Sequence, residues 1–216
     1  MSNIDKSSHN SKRVSRPRSK KIQAAALTGL VSTCYSSLAL ALPTGEFVVN
    51  NGAGTVTFDR NTANTLNITQ SANKAIINWS NFDINQNELV KFIQSAGNNA
   101  VTLNKINGNS VTQISGALQA NGNLFLINPA GIVFNGTASV NVNGLLATTL
   151  DVNNNDFMNG AASFTGAANS TSSIKNLGEI KAGGAVYLIA PEVSNEGTIT
   201  GTAVASRVGK VVLGAG

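Results

Sequence analysis

Two blocks of this sequence repeat, and the repeats limit the chain to a small set of folds. Leu124-Phe125-Leu126-Ile127-Asn128-Pro129 is matched by Val186-Tyr187-Leu188-Ile189-Ala190-Pro191 at an offset of 62, with Gly122 matched by Gly184. A finer match sets Ile174-Lys175-Asn176-Leu177-Gly178-Glu179-Ile180 against Val193-Ser194-Asn195-Glu196-Gly197-Thr198-Ile199 at an offset of 19. The longer offset reads as about three coils of roughly 20 residues, the length of one turn of a parallel β-helix. Both periods therefore point to an all-β solenoid in which each coil pairs its backbone with the coils above and below.

The local pattern agrees. Short runs rich in Val, Ile, Thr and Phe lie between Asn and Gly: Glu46 to Val49, Thr55 to Phe58, Leu66 to Thr69, Ala75 to Trp79, Leu89 to Ile93 and Ala100 to Leu103. They read as strands separated by turns. Leu124 to Ile127 and Ile132 to Phe134 lack polar alternation, which predicts burial of both faces. Between them, Asn128-Pro129-Ala130-Gly131 has the residues of a type I turn: Asn to accept backbone amides, Pro to preset φ, and Gly at the fourth position. More than two dozen Asn after Ala41 suit hydrogen-bonded ladders at stacked corners, and Gly suits corners that need positive φ. The predicted division is a cap over about 42–74, which covers an otherwise open sheet edge, and coils over about 75–216. Gly209-Lys210-Val211-Val212-Leu213-Gly214 reads as a further coil with nothing to close it, as expected of the first part of a longer β-helix. A short product with a fraying last coil is the alternative.

Residues 1–41 have a different character. A basic stretch holds Lys6, Lys12, Arg13, Arg16, Arg18, Lys20 and Lys21, an apolar stretch runs from Ala24 to Leu38, and Ala39-Leu40-Ala41 is a small-x-small cleavage site. Together these make a secretory signal peptide cut after Ala41, with Leu42 as the first mature residue. The alternative is a signal anchor, since Ile22 to Leu42 approaches the ~20 residues that span a bilayer. Thr28, Ser32, Thr33, Ser36 and Ser37 make that span weakly apolar. The formal charge of +5 belongs to this leader: from Leu42 onward, eight Lys or Arg face nine Asp or Glu. Scattered cations in a near-neutral chain do not make a nucleic-acid surface.

Cys34 and His9 are the only cysteine and histidine, so the exported part has no disulfide, thiol nucleophile, imidazole base or His/Cys metal ligand. No cofactor is expected. Enzymes built on secreted β-helices need converging carboxylates. The candidates are Asp83 with Glu88, Asp151 with Asp156, and Glu192 with Glu196, each pair in a polar, turn-rich stretch without an Arg. A secreted β-helix that binds or cleaves polysaccharide is thus the alternative reading, and the chain is not expected to be an enzyme. Trp79 and Phe82 read as core or cap packing rather than a ligand platform. The Gly-Gly-x-Gly-x-Asp repeat of calcium-binding β-helices is absent, and a transmembrane barrel would need more aromatic residues at its girdles. The Asn-x-Ser/Thr triplets at Asn67, Asn78, Asn135 and Asn169 are expected by chance in an Asn- and Thr-rich chain.

Four stretches in order resemble the N-terminal secretion domain of two-partner secretion exoproteins, the family of filamentous haemagglutinin-like adhesins and contact-dependent inhibition proteins. They are Leu42-Pro43-Thr44-Gly45; Ala75-Ile76-Ile77-Asn78-Trp79 with Phe82 and Val90-Lys91-Phe92-Ile93-Gln94; Ala100-Val101-Thr102-Leu103-Asn104-Lys105-Ile106; and Leu124 to Ile132. The family's turn reads Asn-Pro-Asn-Gly-Ile, so Asn128, Pro129, Gly131 and Ile132 conform and Ala130 departs. A second family motif, Asn-Pro-Asn-Leu, has no counterpart, as in one subgroup. The resemblance implies a right-handed parallel β-helix, export through the Sec translocon with signal peptidase cleavage, and recognition by periplasmic domains of a cognate outer-membrane transporter. It further implies a secreted or bacterial cell-surface protein, an adhesin or haemagglutinin by family, with a host or neighbouring-cell receptor.

Overall fold

A computed structural model describes residues 42–161, 163–166, 171–207 and 210–213, and within them nearly all of the regular secondary structure is strand. Of the cleavage-site residues, Ala39 and Ala41 lie outside the described residues, while Leu42 packs against the core.

Two short strands open the described chain, β1 (Phe47–Asn50) and β2 (Val56–Asp59). The first coil follows with β3 (Thr65–Gln70) and β4 (Lys74–Trp79), and its third side is a single bridge from Ile84 to Ile114. Three strands form the second coil, β5 (Leu89–Gln94), β6 (Val101–Ile106) and β7 (Thr112–Ile114). The third coil is β8 (Ala117–Ala120), β9 (Asn123–Ile127) and β10 (Ile132–Phe134). Next come β11 (Ser139–Val142) and β12 (Gly144–Thr148), after which the chain makes an excursion: β13 (Asp151–Val152), helix α1 (Asn154–Asn159) and β14 (Phe164–Thr165). It returns as β15 (Ser173–Asn176), which completes the fourth coil. The last two coils are β16 (Glu179–Ala182), β17 (Ala185–Ile189), β18 (Glu192–Asn195), then β19 (Thr198–Thr200), β20 (Ala203–Arg207) and β21 (Lys210–Leu213).

Each side of the coils builds one sheet. The strand orders are β2-β3-β5-β8-β11-β16-β19, β1-β4-β6-β9-β12-β17-β20 and β7-β10-β15-β18-β21, and all pairings within them are parallel except β1 with β4 and β2 with β3. The two antiparallel strands cover one edge of the first two sheets. Parallel pairing already begins at Thr65, opposite Leu89, so the coils start before the expected boundary at 75. A strand that pairs antiparallel on one side and parallel on the other has no mark of that in its own sequence.

Register confirms the short repeat and corrects the long one. Ile174 stands opposite Val193 and Ile180 opposite Ile199, as the offset of 19 requires. Leu145, however, pairs with both Leu124 and Val186, so the offset of 62 spans two coils rather than three. The excursion after Thr148 is about as long as a coil and mimics one in spacing.

Alternation within strands follows from the stack. Leu66, Val90, Leu118, Val140, Ile180 and Ile199 are successive register partners, and the first five are 0–1 % exposed. Trp79 plugs the cap end, with its ring edge-on to Phe58 at 5.8 Å and Phe82 at 5.1 Å. Both Trp79 and Phe82 are buried, which makes them packing residues, as expected. Continuous burial of β9 and β10 is not found, because Phe125 and Val133 face outward and are half-buried. Phe125 owes its partial cover to the excursion, which joins Ile76, Leu103, Ile127, Val152 and Phe157 in a second apolar cluster.

Polar groups enter the interior at the second coil. Asn104 Oδ1 accepts from Trp79 Nε1 at 3.0 Å, Gln94 Nε2 donates to Thr102 Oγ1 at 3.0 Å, and Thr102 Oγ1 donates to Gln70 Oε1. Buried polar groups persist where they are bonded in this way. Asn ladders are present as single rungs, from Asn176 to Asn195 at 2.7 Å and from Asn143 to Asn123 at 2.9 Å. Many other Asn bond to backbone instead, as Asn121 and Asn128 do.

The corner glycines act mainly through close approach. Gly116, Gly178 and Gly197 precede β8, β16 and β19 without positive φ. A Cβ on Gly116 would lie 2.1 Å from Asn85 O, and one on Gly197 would lie 2.1 Å from Gly178 O. Gly116→Ala should therefore cost about 1–3 kcal/mol, whereas Gly136→Ala, whose nearest atom is 4.0 Å away, should stay within ~0.5 kcal/mol. Leu118→Ala, in the central column, should cost about 2–5 kcal/mol. Chemical denaturation of the three variants against the parent chain checks the order.

Candidate functional site

The Asn128-Pro129-Ala130-Gly131-Ile132 turn lies where the third coil passes from its second sheet to its third. Gly131 N donates to Asn128 O at 3.0 Å and closes the turn, while Ala130 N donates to Asn128 Oδ1 at 2.9 Å. Asn64 is the one described non-glycine residue with positive φ, so Ala130 keeps negative φ and the turn is type I, because type II requires positive φ there.

Asn128 does more than cap its own turn. It is fully buried. Its Nδ2 donates to Thr112 Oγ1 at 2.8 Å and to Ser110 O at 3.0 Å, both on the second coil. Its backbone N–H donates to Thr148 O on the fourth coil at 3.0 Å. One residue thus holds three coils in register. Gly131 has φ +117, a conformation open to glycine, and a Cβ there would lie 2.9 Å from Ser173 O. Ile132 is 0 % exposed and stands between Thr112 and Ile174. Pro129 is exposed and Ala130 half-exposed, so these two form the surface of the turn. Pro129 O accepts from Ser172 Oγ at 2.5 Å. The matching corner after β17 places Ala190 where Asn128 stands, and so lacks the side-chain bonds.

A small cleft of about 130 Å³ beside the turn is lined by Asn78, Lys105, Ile127, Pro129, Asp151 and Asn154. Lys105 Nζ crosses it to Asp151 Oδ1 at 2.7 Å, Asn154 Oδ1 at 3.1 Å and Val152 O at 2.9 Å. The sequence reading did not single out these lysine contacts. The one available signal was a Lys inside an apolar strand, which several roles would explain equally.

Of the carboxylates considered for catalysis, Asp83, Glu88, Asp151 and Glu196 are held in local bonding. Asp83 accepts from Gln113 N and Asn81 Nδ2, both at 2.7 Å, and Glu88 Oε2 accepts from Asn85 N at 2.7 Å. Asp151 pairs with Lys105, and Asp156 sits in the first turn of α1. Glu196 lies 2.9 Å from Lys175; the hydrogen bond and charge of Lys175 hold its carboxyl below the usual carboxylate range. Glu192 is exposed. Among the described residues no cluster of three or more His, Cys, Asp or Glu could hold a metal ion.

Comparison with known proteins places this geometry. The profile of the TPS secretion domain matches residues 39–216. A heme/hemopexin-binding protein of Haemophilus influenzae is 39% identical over 123 residues, 57% of this chain and 13% of that protein. The protein of that name from Haemophilus influenzae strain ATCC 51907 / DSM 11121 / KW20 / Rd is 36% identical over 198 residues, 88% of this chain and 21% of that protein. The crystal structure of the HMW1 secretion domain from Haemophilus influenzae aligns with a TM-score of 0.67 at 39% identity, over 73% of this chain and 41% of that one. The chain thus spans a minor part of the relatives it matches, and it belongs to the TPS secretion domain family.

Proposed function

We propose that residues 42–216 form a right-handed parallel β-helix that a cognate outer-membrane transporter recognises through its periplasmic domains and that nucleates folding outside the cell. Domains of this family engage such a transporter, and the proteins that carry them are secreted by the two-partner route. The observation that carries the reading is the stack itself. Its strand edges are free to pair with a partner strand before the coils form, and each folded coil offers a template to the next. In this reading residues 1–41 take the chain through the Sec translocon and are removed by signal peptidase after Ala41, and folding at the surface biases transport outward. The chain acts by binding and folding rather than catalysis, in keeping with Asp83, Glu88, Asp151 and Glu196 being engaged in turns and ion pairs. The parent protein is read as a surface or secreted adhesin with a receptor on a host or neighbouring cell. A second reading, capture of haem or hemopexin, is favoured by the names of the two relatives. It would draw on parts of the parent protein beyond this domain, since the only histidine here is His9.

Secretion of residues 1–216 from a bacterium with and without a matched transporter tests the core of the reading. Release only with the transporter, starting at Leu42, is expected; retention in both cases would falsify it. Cysteines at the paired positions Asn67 and Lys91, oxidised in the periplasm to hold two coils together, should stall the chain until reduced. Passage at equal rates in both redox states would remove folding as the source of direction. The turn residues separate structure from recognition: Asn128→Ala should destabilise the domain by about 1–3 kcal/mol, since it removes the bond to the buried Thr112 hydroxyl together with those to Ser110 O and Ala130 N. Pro129→Ala should change stability by less than ~1 kcal/mol, so a drop in its secretion at unchanged denaturation midpoint would mark Pro129 as a transporter contact.

A further inference from the structure

The excursion between β12 and β15 does what a stack alone does not. In a solenoid each coil touches only its neighbours, but this segment leaves the fourth coil and reaches back across the third, second and first. Phe157 and Phe164 lie over Phe125 of the third coil, with ring centroids 5.7 and 6.4 Å away. The same apolar cluster takes in Leu103 of the second coil and Ile76 of the first.

Two lysines fasten it. Lys74, on the first coil, donates from Nζ to Phe157 O at 2.8 Å and Met158 O at 3.0 Å, and stands 5.5 Å above the Phe157 ring. Those carbonyls belong to the last turn of α1, where the negative end of the helix favours a cation. Lys105, on the second coil, binds Asp151, Val152 O and Asn154 as described above. Helix α1 has six residues, capped by Asn153 and by Gly160 at φ 87. So short a helix is marginal in isolation, and the face it lies on gives it order. That face is complete only when the first three coils have stacked.

We propose that residues 151–160 with Phe164 are a strap that locks the first coil to the fourth, so that the cap end of the stack cannot open coil by coil. Without the strap, the first coil is joined to the fourth only through the two between them. With it, opening of the first coil must also break the lysine contacts and expose the outer apolar cluster.

Native-state hydrogen exchange on residues 42–216 tests the lock. In Phe157→Ala, amides of β4 and β6 should exchange at least tenfold faster, while those of β17 and β18 keep the parent rates. Lys74→Met should act in the same direction, and Lys74→Arg, which still donates to two carbonyls, should restore the parent rates. Equal acceleration in all coils would show that the segment adds only to global stability, and unchanged rates in β4 would show that it locks nothing; either result overturns the proposal. If Phe157→Ala fails to fold, Lys74→Met and Lys74→Arg alone decide between these outcomes.

Discussion

The structure depends on register between coils. Parallel ladders bind each strand to the coils on both sides, and that pairing superimposes one coil's inward residues on the next. The column through Leu66, Val90, Leu118, Val140 and Ile180 alternates along its strands with Asn67, Lys91, Gln119, Asn141 and Lys181, which are partners in the same ladders. A slip of one residue in any strand would exchange the two sets and place lysines and amides in the core. The penalty for such a slip far exceeds that for loss of a single side chain.

Polar groups sharpen that choice. The buried Gln70, Thr102, Gln94 and Asn104 bond to one another or to Trp79 only in this alignment. In a pairing shifted by two residues, which keeps the same side chains inside, each would be buried without its partner, at a cost of roughly 1–3 kcal/mol apiece. Asn128 works in the same way at a corner, with one side chain and one backbone amide reaching two different coils. The apolar column makes the stack stable, and these bonds make one alignment preferable to its neighbours.

How much of this could be read from the sequence varied with how local the cause was. Strand positions were legible to within a few residues, because alternation and flanking Gly or Asn are properties of the strand itself. The turn at Asn128 was legible in its type, since Pro129 and Gly131 fix its backbone. Its reach to Thr112, Ser110 and Thr148 was not, because those contacts lie between coils. The excursion escaped for a related reason: a six-residue helix has too little periodicity to register, and its landing face is built by Ile76, Leu103 and Phe125 on three separate coils. Its length near one coil then disguised it as repeat. The corner glycines were identified as special, but their reason is close approach of a neighbouring coil's carbonyl, which no single strand contains.

The burial of the turn bears on when a partner could read it. Asn128 and Ile132 are fully buried and Gly131 is pressed against Ser173, so in the finished domain a partner meets Pro129 and the edge of Ala130. The departure at Ala130 from the family's Asn therefore alters the exposed part of the turn and leaves the buried bonds of Asn128 intact. A transporter that discriminated by Asn128 or Ile132 would have to meet the chain before the second and fourth coils close over them. One that discriminated by Pro129 or Ala130 could do so at any stage. The same five residues thus divide into a buried set that sets register and a surface set that is free to carry specificity, and the line between them is drawn by which side chains the neighbouring coils cover.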